Sequence, residues 1–227
     1  MRWFIFILLA VVGSWVAVAA STEVKHWTLQ GVVVHLVVTD SWGDLTVTNG
    51  MESLTHLMGR MQPRAVLSGP YFNPATGQPV CAVVREGKLL AAGLCHSYLL
   101  VSACGAIVGY SESGVVEWPA RLQVGLGGGP ILVRDGELHL NQRDEGFSDP
   151  RVFGVARRTA VGLTRAGKLV MLATNAEVGL KRWSKVMLAA GLTDAFNLDG
   201  GGSAALYAEG RMWVRPQRAL PCYLVVR

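Results

Sequence analysis

Between Lys25 and Arg227 the apolar residues come in short, valine-rich runs cut by turn residues, and only two stretches keep a helical period. "KHWTLQGVVVHLVVTD" (Lys25 to Asp40) shows no 3.6-residue repeat and reads as one or two strands. Ala65 to Ser68 is a short buried strand, "NPATGQP" (Asn73 to Pro79) a turn cluster, and "EGK" at Glu86 to Lys88 a hairpin tip. Strands follow around Tyr98 to Val108 and Leu122 to Leu126. Gly127 to Leu140 then reads as a glycine loop and two strands around Asp-Gly. Arg157 to Thr174 reads as a strand pair, and Ala195 to Leu198 as a short buried strand. Another strand or two lie in the closing "RMWVRPQRALPCYLVVR".

The first helical stretch places Met51, Leu54, Leu57, Met58 and Met61 on one face, with Pro63 beyond its end. The second, "KRWSKVMLAAGL", places Trp183, Val186, Met187 and Ala190 together, with Gly191 as a left-handed cap. Many strands with few helices predict an α+β fold: a twisted, mostly antiparallel sheet core with a few packed helices.

At 227 residues, 51% of them hydrophobic, the chain supports one sizeable core. No linker composition or repeat divides it, so residues 21–227 are expected to form one domain. Ahead of them Arg2 precedes the apolar run Trp3 to Ala20, which ends in Ala17, Ala19 and Ala20. A basic start, an apolar centre and small residues at the end predict a signal peptide cleaved after Ala19 or Ala20. An uncleaved anchor is the alternative, because the run approaches the length of a membrane span. The expected location is therefore secreted or periplasmic, with membrane contact only if residues 1–20 stay attached.

The four cysteines, Cys81, Cys95, Cys104 and Cys222, match no common zinc spacing. Export would allow one or two disulfides, with Cys95 and Cys104 able to close a short loop; four buried thiols are the other reading. A formal charge of +5 suits anionic ligands, yet no basic stripe with interleaved aromatics is present, so no nucleic acid partner is expected.

Two glycine triplets lie against strands: Gly127, Gly128, Gly129 and Gly200, Gly201, Gly202. Successive glycines let N–H groups converge on an anion, and Asp199 stands directly before the second triplet. Tight turns are the alternative. Neither triplet matches a P-loop or a dinucleotide fingerprint, so no cofactor and no metal is expected. Arg157 and Arg158 carry guanidinium groups suited to phosphate oxygens, or else are solvated strand-end residues. Ser203 lacks a nucleophile elbow, and its expected role is to bind phosphate or cap the loop.

Four segments in order, "LSGPYFNPATGQPVCAVVREGKL", "GGGPILVRDGEL", "RRTAVGLTRAGKL" and "GLTDAFNLDGGGSAAL", resemble the phosphodiester glycosidase family over about Arg64 to Arg227. "NLDGGGS" is the most specific of them. The resemblance implies an exported hydrolase that removes a sugar from a sugar-1-phosphodiester or phosphoglycan, with Asp199 and Arg158 as catalytic candidates. It implies a substrate site drawn from Ser68, Gly128, Gly129, Thr159, Asn175, Gly200, Gly201, Gly202 and Ser203, with Pro130 beside the first glycines. The family pattern has Asn-Gly-Gly and two aromatics where this chain has Ser68, Gly69, Pro70, Tyr71 and Phe72. Many members carry Asp-Gly where Thr174 and Asn175 stand. These departures keep a second reading in view, a non-catalytic glycan-binding protein of the cell envelope. Convergence of Asp199, Arg158 and Ser68 with a second acid, such as Glu145 or Glu177, would favour the enzyme.

Overall fold

The computed structural model describes residues 21–227, so the predicted signal peptide lies outside the described residues. Among the described residues three large antiparallel sheets, a two-stranded ribbon and two principal helices make up the architecture, which is the α+β arrangement expected. The largest sheet has seven strands. In spatial order they are Thr22–Leu29, Val32–Thr39, Leu169–Val178, Ala156–Thr164, Leu192–Leu198, Ile131–Arg134 and Glu137–Leu138.

Strand alternation sorts this sheet's side chains into two cores. Val161, Met171, Ala173 and Phe196 face inward, against two five-stranded sheets. Ala160, Val170, Leu172 and Ala195 face outward, onto the helix Leu180–Ala189 through Trp183, Val186 and Met187. Burial on both faces is why "LVMLA" reads as an unbroken apolar run rather than an alternating one. Gly191 closes that helix at a φ of 82°, as its position predicted.

The other helix, Leu54–Met61, covers the sheet that contains Ala65–Ser68 and Tyr223–Val226. Ser53 caps it by accepting the His56 N–H. Met51 lies before the helix and is exposed, so the predicted stripe is shorter by one residue. Lys25 to Asp40 proves to be a hairpin, and its second strand pairs with Leu169–Val178. Leu45–Val47 pairs with Tyr223–Val226. Among the described residues no helix is long and apolar enough to cross a membrane.

The predicted loop at the first glycine triplet is corrected. Gly127 and Gly128 belong to the strand Val124–Gly128. A Cβ on Gly128 would meet the Phe196 ring at 2.4 Å, and one on Gly127 would meet Cys81 Cβ at 3.0 Å. These glycines are small because two sheets close over them, not because an anion lies there.

The cysteines are corrected as well. Cys95 pairs with Cys81, fourteen residues away, and not with Cys104. Cys104 is an exposed thiol at a hairpin tip and Cys222 a buried one. Closing a loop of this length is worth about 3 kcal/mol. The Cys81→Ala, Cys95→Ala double variant is expected to lose about that much in urea denaturation. Reductant should lower the stability of the native chain and leave the variant's unchanged.

Candidate active site

The cleft that holds Asp199 has a volume of about 610 Å³. Asp199 ends the strand Leu192–Leu198, and its backbone is fixed from three sides. Its N–H donates to the Gly69 carbonyl (3.0 Å). Its own carbonyl accepts the hydroxyls of Ser68 and Thr159, each at 2.9 Å. Ser68 and Thr159 are fully buried, with their hydroxyl oxygens 3.2 Å apart. The structure thus puts them beneath Asp199, holding it, where the sequence had placed them in contact with substrate.

The three glycines after Asp199 answer to different constraints. A Cβ on Gly200 would meet the Arg157 carbonyl at 2.4 Å, so only glycine lets the loop pass over that strand. Gly201 adopts a φ of 54°, in the left-handed region. Gly201–Ser203 then forms one 3-10 turn whose backbone lines the cleft. Arg157 clamps this turn, donating from Nε and Nη2 to the Gly201 carbonyl (2.9 and 2.6 Å) and from Nη1 to the Arg215 carbonyl (2.9 Å).

Arg158 points to the opposite face of its strand, as alternation requires. It lines the cleft, yet Nε donates to the Val178 carbonyl (2.9 Å) and Nη2 to those of Val152 (3.1 Å) and Gly154. Nε and Nη2 are thus committed to the backbone, and among the described residues Nη1 alone is left for a phosphate oxygen. Arg158 positions the Pro150–Phe153 segment and adds positive charge to the cleft wall. Arg218, which the sequence reading did not single out, is freer. Its Nε donates to Ser203 Oγ (2.9 Å) and its guanidinium lies over the Phe72 ring at 5.1 Å. Among the described residues only that nitrogen is engaged, leaving the terminal N–H groups for an anion. Ser203 is buried, accepts from Arg218, and its hydroxyl favours the ionised form of the Asp199 carboxyl. Arg151 lines the same cleft in a paired state with Asp149.

The second acid is Glu145, on the loop before Pro150–Phe153. Its Oε1 accepts the Ile131 N–H (2.8 Å) and its Oε2 the Ser97 hydroxyl (3.2 Å). Burial pushes its carboxyl up to about 7, against the pull of those two hydrogen bonds. Burial also raises Asp199, to about 6, opposed by the Ser203 hydrogen bond and then by the charge of Arg218. The cleft therefore presents two acids that titrate near neutrality, with the cations nearer Asp199. Two carboxyls set apart by their surroundings are suited to acid and base roles.

Tyr71 completes the floor. Asn197 Nδ2 donates to its hydroxyl oxygen (2.6 Å), which leaves the Tyr71 O–H free to donate elsewhere. Burial raises the phenol, and the nearby Asp199 charge raises it further, so it remains a neutral donor.

Three residues predicted for the site lie elsewhere. Gly128 is packed under Phe196, as described above. Gly129 backs the site from outside, since a Cβ there would press on Glu145 Oε2 at 2.9 Å. Asn175 is exposed, donates to the Trp213 carbonyl (2.9 Å), and does not line the cleft. Glu177 is likewise exposed and outside it. Among the described residues no group of three or more His, Cys, Asp or Glu side chains is placed to hold a metal. Arg218 and Glu145 carried no motif in the sequence, and only the fold brings them to Asp199.

The phosphodiester glycosidase family model matches residues 62–227. The N-acetylglucosamine-1-phosphodiester alpha-N-acetylglucosaminidase of Mus musculus is 29% identical over 167 residues, which are 66% of this chain and 32% of that protein. The Bos taurus enzyme of the same name is 29% identical over 163 residues, 64% of this chain and 31% of that one. The chain thus spans about a third of the length of these relatives. Among solved structures, the catalytic domain of the zebrafish enzyme of that name, auto-inhibited by its pro-peptide, superposes with a TM-score of 0.73 at 22% identity. The match covers 92% of this chain and 82% of that domain. A hypothetical protein from Synechocystis superposes with a TM-score of 0.66 at 16% identity, covering 92% and 62%. These two likenesses establish a shared fold.

Proposed function

Because this chain belongs to the phosphodiester glycosidase family, we propose that it is an exported enzyme that hydrolyses a sugar-1-phosphodiester. The observation that carries this reading is the convergence of Asp199 and Glu145 in one cleft with Arg218 and the glycine turn. In the proposed reaction the bond between the anomeric carbon and the phosphate oxygen breaks, and its electron pair leaves on that oxygen. Water supplies the oxygen that replaces it, and the water proton passes to Asp199. The products are the free sugar and a phosphate monoester.

The residues suit these steps. Arg218 and the Gly201 to Gly202 backbone receive the phosphate, whose charge grows as the bond breaks. Tyr71 donates a hydrogen bond into the same space. Asp199 serves as the ionised base. Glu145, with the higher pKa and no cation beside it, serves as the neutral acid toward the departing oxygen. A phosphate leaving group needs less protonation than an alcohol does, so the acid's share is smaller than in ordinary glycosidases.

Disulfides persist in oxidising compartments, and the Cys81–Cys95 bond therefore supports export. The names of the relatives make N-acetylglucosamine the first sugar to test. The chain is expected to hydrolyse an N-acetylglucosamine-1-phosphodiester in preference to an alkyl or aryl N-acetylglucosaminide, measured as kcat/KM. Binding of both compounds with turnover of neither would return the protein to the glycan-binding reading.

A further inference from the structure

Soluble chains rarely gather exposed apolar side chains around one opening, and where they do the patch usually receives a ligand or a partner. Three of the large hydrophobic residues on the wall of the Asp199 cleft are exposed: Leu94 at 72%, Val155 at 67% and Val80 at 47%. Leu94 and Cys95 also form the near wall of a second cavity of about 100 Å³. That cavity continues onto Val115, which is 61% exposed, and onto half-buried Val116 and Trp118. Trp118 is fixed there, because its ring edge stacks against Tyr98 and it covers Gly125 so closely that a Cβ would meet the ring at 2.6 Å.

The two cavities share Leu94 and Cys95 in their linings, and together they form one amphipathic surface. Its inner end is charged, with Asp199, Glu145 and Arg218. Its outer end, across the disulfide between Cys81 and Cys95, is a trough lined by Leu94, Val115, Val116 and Trp118 among alanine and glycine backbone, with no ionisable side chain in its lining. A ligand complementary to both ends carries an anionic head and an apolar tail, joined within one molecule. A second sugar on the far side of the phosphate would instead require hydroxyl partners, and the trough offers aliphatic carbon and one indole.

We propose that the alcohol esterified to the phosphate is a long-chain apolar alcohol, whose chain lies over Leu94 and Cys95 toward Val115 and Trp118. The proposal deepens the hydrolase reading and rests on it for the head group. It names the leaving part of the substrate, so the product released would be an apolar phosphate monoester.

The test uses a series of N-acetylglucosamine-1-phosphodiesters carrying methyl, butyl, hexyl and decyl alcohols, each below its critical micelle concentration. With the full chain, kcat/KM should rise along the series, with decyl exceeding methyl by at least about tenfold, since each buried methylene adds to binding. Leu94→Asp and Val115→Asp are exposed substitutions that the fold tolerates, and each should bring the decyl-to-methyl ratio down toward one. A flat series overturns the proposal, as does a preference that survives both substitutions. If no ester is hydrolysed, the hydrolase reading fails by itself. The trough is then judged by calorimetric binding of the same esters, and equal affinity for methyl and decyl overturns it.

Discussion

Asp199→Asn is expected to lower kcat/KM for a sugar-1-phosphodiester by about a thousandfold, within the range that removal of a positioned base costs, while the chain folds as before. The fold should persist because the contacts that anchor this residue are made by its backbone. The Gly69 carbonyl takes its N–H, and Ser68 and Thr159 donate to its carbonyl. None of the three touches the carboxyl. An amide keeps the shape of the carboxyl, but it cannot take a proton from water. It also removes a buried charge, so thermal stability at neutral pH should hold or rise. Circular dichroism and a melting curve beside the kinetics separate the two effects. A folded variant that kept a tenth or more of the activity would remove Asp199 from the mechanism.

How much of this was legible in the sequence differs between the frame and the site. The element pattern could be read because its signals are local. Val-rich runs, turn dipeptides, the Met51 to Met61 stripe and the Gly191 cap each report on neighbours within a few residues. "NLDGGGS" could be read for the same reason, since one segment supplies both the acid and the turn. Asn175 was misjudged, and the backbone partners of Arg158 were missed, because side-chain direction depends on the register of a strand. One step along the chain exchanges the two faces, and so Arg157 holds the glycine turn while Arg158 turns to backbone carbonyls. The first glycine triplet looked like the second in sequence. What separates them is a packing fact, the Phe196 ring over Gly128, that no local pattern encodes. Arg218 and Glu145 reach Asp199 from distant segments. Only the pairing of sheets makes them neighbours, and a single polar residue in a loop carries no mark of that.

Glu145→Gln distinguishes this arrangement from a site with one acid. The substitution is nearly isosteric and keeps both hydrogen bonds, since the amide oxygen can accept the Ile131 N–H and the amide nitrogen can donate to Ser97. If Glu145 is the acid, kcat/KM should fall by about a hundredfold for esters with poor leaving groups and by less for better ones. The pH profile carries the sharper signature. Activity in the native chain requires Asp199 ionised and Glu145 neutral, so it should rise through about 6 and fall through about 7. The variant should keep the acid limb and lose the alkaline one. Stability should move in the opposite sense. A carboxyl whose pKa is raised on folding, from 4.5 to about 7, gains a proton as the chain folds. Stability is therefore full below 4.5, declines as pH rises, and has lost its whole share once pH passes about 7. By pH 8 that loss is on the order of 3 kcal/mol in the native chain and nil in the variant. Glu145→Gln should thus match the native chain in urea at pH 4.5 and exceed it at pH 8, even as it turns over substrate more slowly. A variant slower at every pH with the alkaline limb intact would instead give Glu145 a binding role. The proton for the leaving oxygen would then have to come from Tyr71, which lines the cleft and whose hydroxyl oxygen accepts from Asn197.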